Sequence, residues 1–209
     1  MYKLLSISIV LALVGCGGGG GGGGSSEPTP DKPVVVEPVV KKQYIVAGGT
    51  NARSCEWSYF EDKTGSTIIE ISENGKGIDQ IIDALADAPQ NISDSDGIIF
   101  IDGEYDGAAE TDPDYYVEAV ELYQAMLSER SGSDLPLYIS TVGYHRYKDR
   151  LPYANIREAV NLSATLNPSW VVAYDEAQYF IDWNMLTDNI HFGKEGCELI
   201  MDAMADAIQ

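Results

Sequence analysis

Histidine, cysteine and positive charge are all scarce in this 209-residue chain. It carries two histidines, three cysteines and thirteen lysines and arginines against thirty-three acidic residues, a formal net charge of -20. That balance leaves no basic footprint for nucleic acid, because a phosphate backbone is repelled by the average surface. Long hydrophobic runs are missing too. The longest, Leu4 to Gly15, has twelve residues and two interrupting serines, whereas a bilayer-spanning helix needs about 20. The sequence therefore excludes a membrane-spanning protein.

What is present begins with an address. Residues 1–15 have a charged start at Lys3, an apolar run and small residues at its end, the layout of a secretory signal. Leu13-Val14-Gly15-Cys16 resembles the lipobox of bacterial lipoproteins, in which the signal is cut before the cysteine and its sulfur takes a diacylglycerol; the alternative is an ordinary cleaved signal with a chance cysteine. The resemblance implies an exported chain held to a lipid bilayer through Cys16 rather than spanning it. Gly17, where inner-membrane lipoproteins carry aspartate, implies the outer membrane of a Gram-negative cell. Residues 16–42 read as a linker, flexible along Gly17 to Gly24 and stiffer around Pro28, Pro30, Pro33 and Pro38. Linker charges cancel, so residues 43–209 hold thirty acidic and nine basic residues.

Those 167 residues can close one core. Strands are expected at Tyr44–Ala47, Thr67–Ile71, Gly97–Asp102, Leu137–Val142 and Trp170–Tyr174. Helices are expected near Ala52–Asp62, Gly77–Ala86, Asp114–Glu129, Ala154–Leu166 and Lys194–Ala207. The third helix is the clearest: Tyr116, Val120, Tyr123 and Leu127 recur three or four apart, behind an Asp112-Pro113 start. Alternating strands and helices predict an α/β fold, a parallel sheet covered on both faces in a three-layer α/β/α sandwich. Ligands in such sheets bind at the carboxyl ends of the strands. There the sequence places a Gly48-Gly49-Thr50-Asn51 turn after the first strand and Asp188-Asn189-Ile190-His191 before the last helix. A hydroxyl, a histidine and a carboxylate are the parts of a nucleophile, a general base and its orienting group.

Four segments carry a resemblance to a known family. Tyr44 to Ala52 looks like a strand running into Gly-Gln-Ser-Asn, and Asn74-Gly75-Lys76-Gly77 like a second block whose glycine amide helps form an oxyanion hole. Asp102-Gly103-Glu104-Tyr105-Asp106 looks like Gln-Gly-Glu-Ser-Asp, and Asp188 to Phe192 like a final Asp-x-x-His block. In this order they resemble the SGNH (GDSL-like) hydrolases, in particular the carbohydrate-esterase and sialate O-acetylesterase relatives. The resemblance spans residues 43–209 and implies a five-stranded sheet in flavodoxin-like order 2-1-3-4-5. It also implies an esterase that removes acyl groups, acetyl above all, from a glycan, with Thr50 as nucleophile, His191 as base and Asp188 as its partner. Gly77, Asn51, Asp102 and Glu104 are then the oxyanion and substrate residues. No cofactor or metal is expected, and the protein is expected to be a monomer.

Two of those positions depart from the family. Thr50 replaces serine, and its methyl restricts χ1. Asp102 replaces glutamine, and an ionised carboxylate has no hydrogen to donate to an oxyanion. Three explanations stay open: Thr50 works as the nucleophile, Ser54 substitutes for the serine, or the site is degenerate and binds a glycan or another surface partner without cleaving it. Cys55 and Cys197 open helices that pack on the same face in the 2-1-3-4-5 order, so a disulfide between them is expected, two free thiols being the alternative. His145 with Arg146, Lys148 and Arg150 is expected on the rim as a contact for an acidic sugar or as local charge balance, and Trp183 is expected to be exposed.

Overall fold

The structure is a computed structural model describing residues 40–87, 91–143, 151–175 and 185–209. Five strands, β1 (Gln43–Gly48), β2 (Thr67–Glu70), β3 (Gly97–Ile101), β4 (Leu137–Ser140) and β5 (Trp170–Tyr174), form one sheet in the order β2-β1-β3-β4-β5. Every pairing is parallel. The central strands read as unbroken apolar runs because both of their faces are covered. Ile45, Ile98, Phe100 and Ile139 pack on one side with α3 (Ile78–Ala84), α5 (Pro113–Ser131) and α6 (Leu151–Leu166). Tyr44, Val46, Ile99 and Ile101 pack on the other with α1 (Thr50–Ser54), α2 (Ser58–Thr64) and α7 (Lys194–Ala207). This alternation of successive residues makes the three layers.

The helix α5 forms as its sequence dictates. Asp112 accepts hydrogen bonds from the Asp114 and Tyr115 amides, Pro113 occupies the first turn, and Tyr116, Val120, Tyr123 and Leu127 are buried. Elsewhere the boundaries differ from expectation. The helix expected over 52–62 is two, α1 and α2, because the backbone becomes extended at Cys55 (φ -85°, ψ 141°). There the sulfur reaches Cys197 in a disulfide with the Cα atoms 5.3 Å apart. The Trp57 indole N–H closes the break by donating to the Ala52 carbonyl, one of the acceptors that a helix end leaves open. A further short helix, α4 (Glu104–Ala109), lies between left-handed residues Gly103 and Glu110 and carries no apolar stripe by which it could be foreseen. Among the described residues, no helix is long and apolar enough to cross a membrane.

Candidate active site

The turn after β1 depends on glycine. Gly48 has φ +120°, and a Cβ there would lie 2.1 Å from the Ile101 carbonyl oxygen. Only a residue without Cβ lets β1 end this close to β3, which sets Thr50 beside the carboxyl end of β3. The Thr50 Oγ1 accepts the Gly75 N–H at 2.8 Å. Among the described residues it has no hydrogen bond to His191. Ser54 Oγ donates to the Thr50 carbonyl at 2.7 Å, the ordinary back-bond of a helical serine.

At the other end of the chain, residues 185–193 form a tight hairpin: Gly193 N–H donates to the Met185 carbonyl and Thr187 N–H to the His191 carbonyl at 2.8 Å. At its tip one oxygen of Asp188 accepts the amides of Ile190 and His191 at 2.9 Å each, and the other lies 2.7 Å from His191 Nδ1. This is the local turn chemistry of an Asx residue. Partial burial alone would raise the Asp188 carboxyl, but the His191 amide, the His191 ring and the Ile190 amide outweigh it and hold the group well below the usual carboxylate range. An ionised Asp188 keeps the proton on Nδ1 and leaves Nε2 as the accepting nitrogen.

Asn51 joins the two ends. Its Nδ2 donates to Glu104 Oε1 at 2.8 Å and to the Ile190 carbonyl at 3.3 Å, and its Oδ1 accepts the Phe192 N–H at 2.9 Å. The expectation that Asn51 offers its amide to an oxyanion is corrected by these bonds. The group is 1% exposed and both donors are engaged. Asp102 is 2% exposed, packed so closely on Gly49 that a Cβ there would lie 2.6 Å from its Oδ1, and bonded by the Tyr116 hydroxyl. Burial pushes its carboxyl well up, helped by the neighbouring Asp106 and Glu104. Raised in this way, the group keeps its proton over a wider pH range and then has an O–H to donate. Glu104 is also raised by burial, against the opposing bond from Asn51.

Gly77 precedes α3, and the described structure shows no protein acceptor for its N–H. A Cβ at Gly77 would meet the Tyr105 ring at 2.8 Å. Tyr105, half exposed, stands where the resembling family has serine, and the sequence reading assigned it no role. Two more residues were missed. Gly75, which holds the Thr50 hydroxyl, lies in the same Asn74-Gly75-Lys76-Gly77 segment as Gly77, and nothing in the sequence distinguishes it from a turn glycine. Asp106, buried, accepts the Ile78 N–H at the start of α3 and the Thr111 hydroxyl at 3.0 Å each. Cys16, His145, Arg146, Lys148, Arg150 and Trp183 lie outside the described residues.

A cavity of about 340 Å³ adjoins this region, lined by Ser54, Thr187, Phe192, Gly193, Cys197 and Met201 among others. An open one of about 1040 Å³ lies before β4 and β5 around Pro136 and Asn167 and touches none of the candidate residues. Among the described residues, no group of three His, Cys, Asp or Glu side chains is placed to hold a metal.

No protein-family model matches the sequence, and no curated protein matches it. Solved structures do match. A carbohydrate esterase family 3 protein from Talaromyces cellulolyticus aligns with a TM-score of 0.65 at 14% identity, covering 80% of this chain and 96% of its own. A GDSL-like lipase from Bacteroides thetaiotaomicron aligns at 0.60 and 14%, covering 80% and 85%. The C-terminal catalytic domain of peptidoglycan O-acetyltransferase A from Streptococcus pneumoniae aligns at 0.51 and 16%, covering 81% and 91%. At these identities the likeness is one of architecture: the chain has the α/β fold found in SGNH and GDSL-like hydrolases.

Proposed function

We propose that this protein is an SGNH-type esterase that removes acyl groups, acetyl in the first place, from a glycan, held by a lipidated Cys16 to the outer membrane of a bacterium and acting as a monomer without metal or cofactor. The domain boundaries proposed with it are a signal over residues 1–15, a linker over 16–42 and the hydrolase-like domain over 43–209. The observation that carries the reading is the Asp188–His191 pair, with Asp188 2.7 Å from His191 Nδ1. In the proposed reaction His191 Nε2 removes the Thr50 proton as Oγ1 attacks the ester carbonyl. The amides of Thr50 and Gly77 receive the oxyanion. Collapse breaks the acyl–sugar bond, and the imidazolium returns its proton to the departing sugar oxygen. Water, activated by the same histidine, then releases the acid and restores Thr50. A sugar ester is supported by the carbohydrate esterase and the O-acetyltransferase domain among the structural neighbours.

A second reading, a binding protein on the same fold, is favoured by one observation: Thr50 Oγ1 is held by Gly75 and not by His191. Turnover of p-nitrophenyl acetate decides between them. The esterase reading expects wild-type turnover well above that of His191→Ala. Equal rates for the two would leave the binding reading, and a Thr50→Ser variant that alone restores turnover would mark the threonine as the lesion.

A further inference from the structure

Asn51 makes contacts that a generic turn residue would not. The two backbone groups it binds, the Ile190 carbonyl and the Phe192 N–H, lie on either side of His191, and the residue itself directly follows Thr50. One planar carboxamide, with a donor and an acceptor, binds both. Its second N–H is anchored on Glu104, at the start of α4. A carboxylate lacks the donors, a hydroxyl cannot span the pair, and an apolar side chain would leave the buried Phe192 N–H without a partner.

We infer that Asn51 is a positioning residue: anchored on Glu104, its carboxamide fixes the backbone on both sides of His191 and so sets the imidazole against Thr50. The inference rests on the reading that Thr50 and His191 act together. It differs from an oxyanion role, since the amide touches no reacting atom. A displacement of about 1 Å in such a pair costs roughly 100-fold in rate, so loss of the splint should appear in kcat and little in KM.

The test uses the exported protein with its disulfide intact and two readouts, hydrolysis of p-nitrophenyl acetate and NMR of the Phe192 amide and the His191 ring. Asn51→Ala is expected to lower kcat on the order of 10- to 100-fold with KM within about twofold, to speed Phe192 amide exchange and to shift the His191 ring signals, with the far-ultraviolet circular dichroism unchanged. Asn51→Asp keeps an oxygen for Phe192 but sets a carboxylate against Glu104. Its kcat/KM relative to wild type should climb as pH is lowered, because a protonated carboxyl regains an O–H for Glu104. A purely structural role would give no such climb. Unchanged Phe192 exchange and His191 signals in Asn51→Ala overturn the inference, as does a flat ratio in Asn51→Asp. Should Asn51→Ala not fold, Asn51→Asp carries the decision. If the wild type turns over nothing, the esterase reading fails, and the exchange and ring signals alone decide the role of Asn51.

Discussion

Asp188 and Asp102 both flank the Thr50–His191 region, and their surroundings drive them in opposite directions. Asp188 sits on a hairpin tip with half its side chain in water and three hydrogen bonds from one short turn. Its proton is lost readily. Asp102 lies under the Gly49 turn, nearly dry, with Tyr116 as a distant partner at 3.5 Å and two further acids nearby. Its proton is held more tightly than in an ordinary aspartate. Residue type thus says little about charge in this site; the count of donors around each carboxyl against the water removed from it decides.

Three substitutions press on that contrast. The largest effect belongs to Asp188→Asn, which keeps the shape but allows the wrong tautomer of His191; kcat on p-nitrophenyl acetate should fall on the order of 1,000- to 10,000-fold, and a loss below tenfold would remove Asp188 from the mechanism. Next is Cys197→Ser. The bridge joins α1, on the Thr50 side, to α7, which follows His191, across a separation of 142 residues. Its loss should cost roughly 3–5 kcal/mol in denaturant melts, with a smaller proportional change in kcat while the domain stays folded. The smallest is Asp102→Asn, read by thermal melts against pH. A carboxyl raised in the folded state contributes stability at low pH that is lost as pH climbs from the ordinary aspartate range through the raised value. The variant should therefore gain melting temperature over wild type at pH 8 and less at pH 4; an equal shift at both would mean that Asp102 folds ionised.

Much of this arrangement was legible before any coordinates. The alternation of strands and helices, the α5 stripe and the Asp188-x-x-His191 spacing are local or pattern-level signals, and Val120 or Leu127 could hardly face elsewhere at their period; the sheet order came with the family resemblance. Asn51 was not readable in this way. Its role depends on backbone atoms at 190 and 192, 141 positions away in the case of Phe192, which no local pattern encodes. The state of Asp102 was unreadable for a related reason: a carboxylate in a motif says nothing of how much water reaches it. The short helix α4 is visible only as two left-handed residues, Gly103 and Glu110, and the second is not a glycine.

The direction of β1 has a mechanical consequence. It runs from Gln43 toward Thr50 between β2 and β3, so the chain enters at one pole of the sheet and the candidate site opens at the other, about 20 Å of strand away. A load applied along β1, between Gln43 and Gly48, would act in shear on the ladders to both neighbours at once, so this interior strand cannot be peeled off one bond at a time.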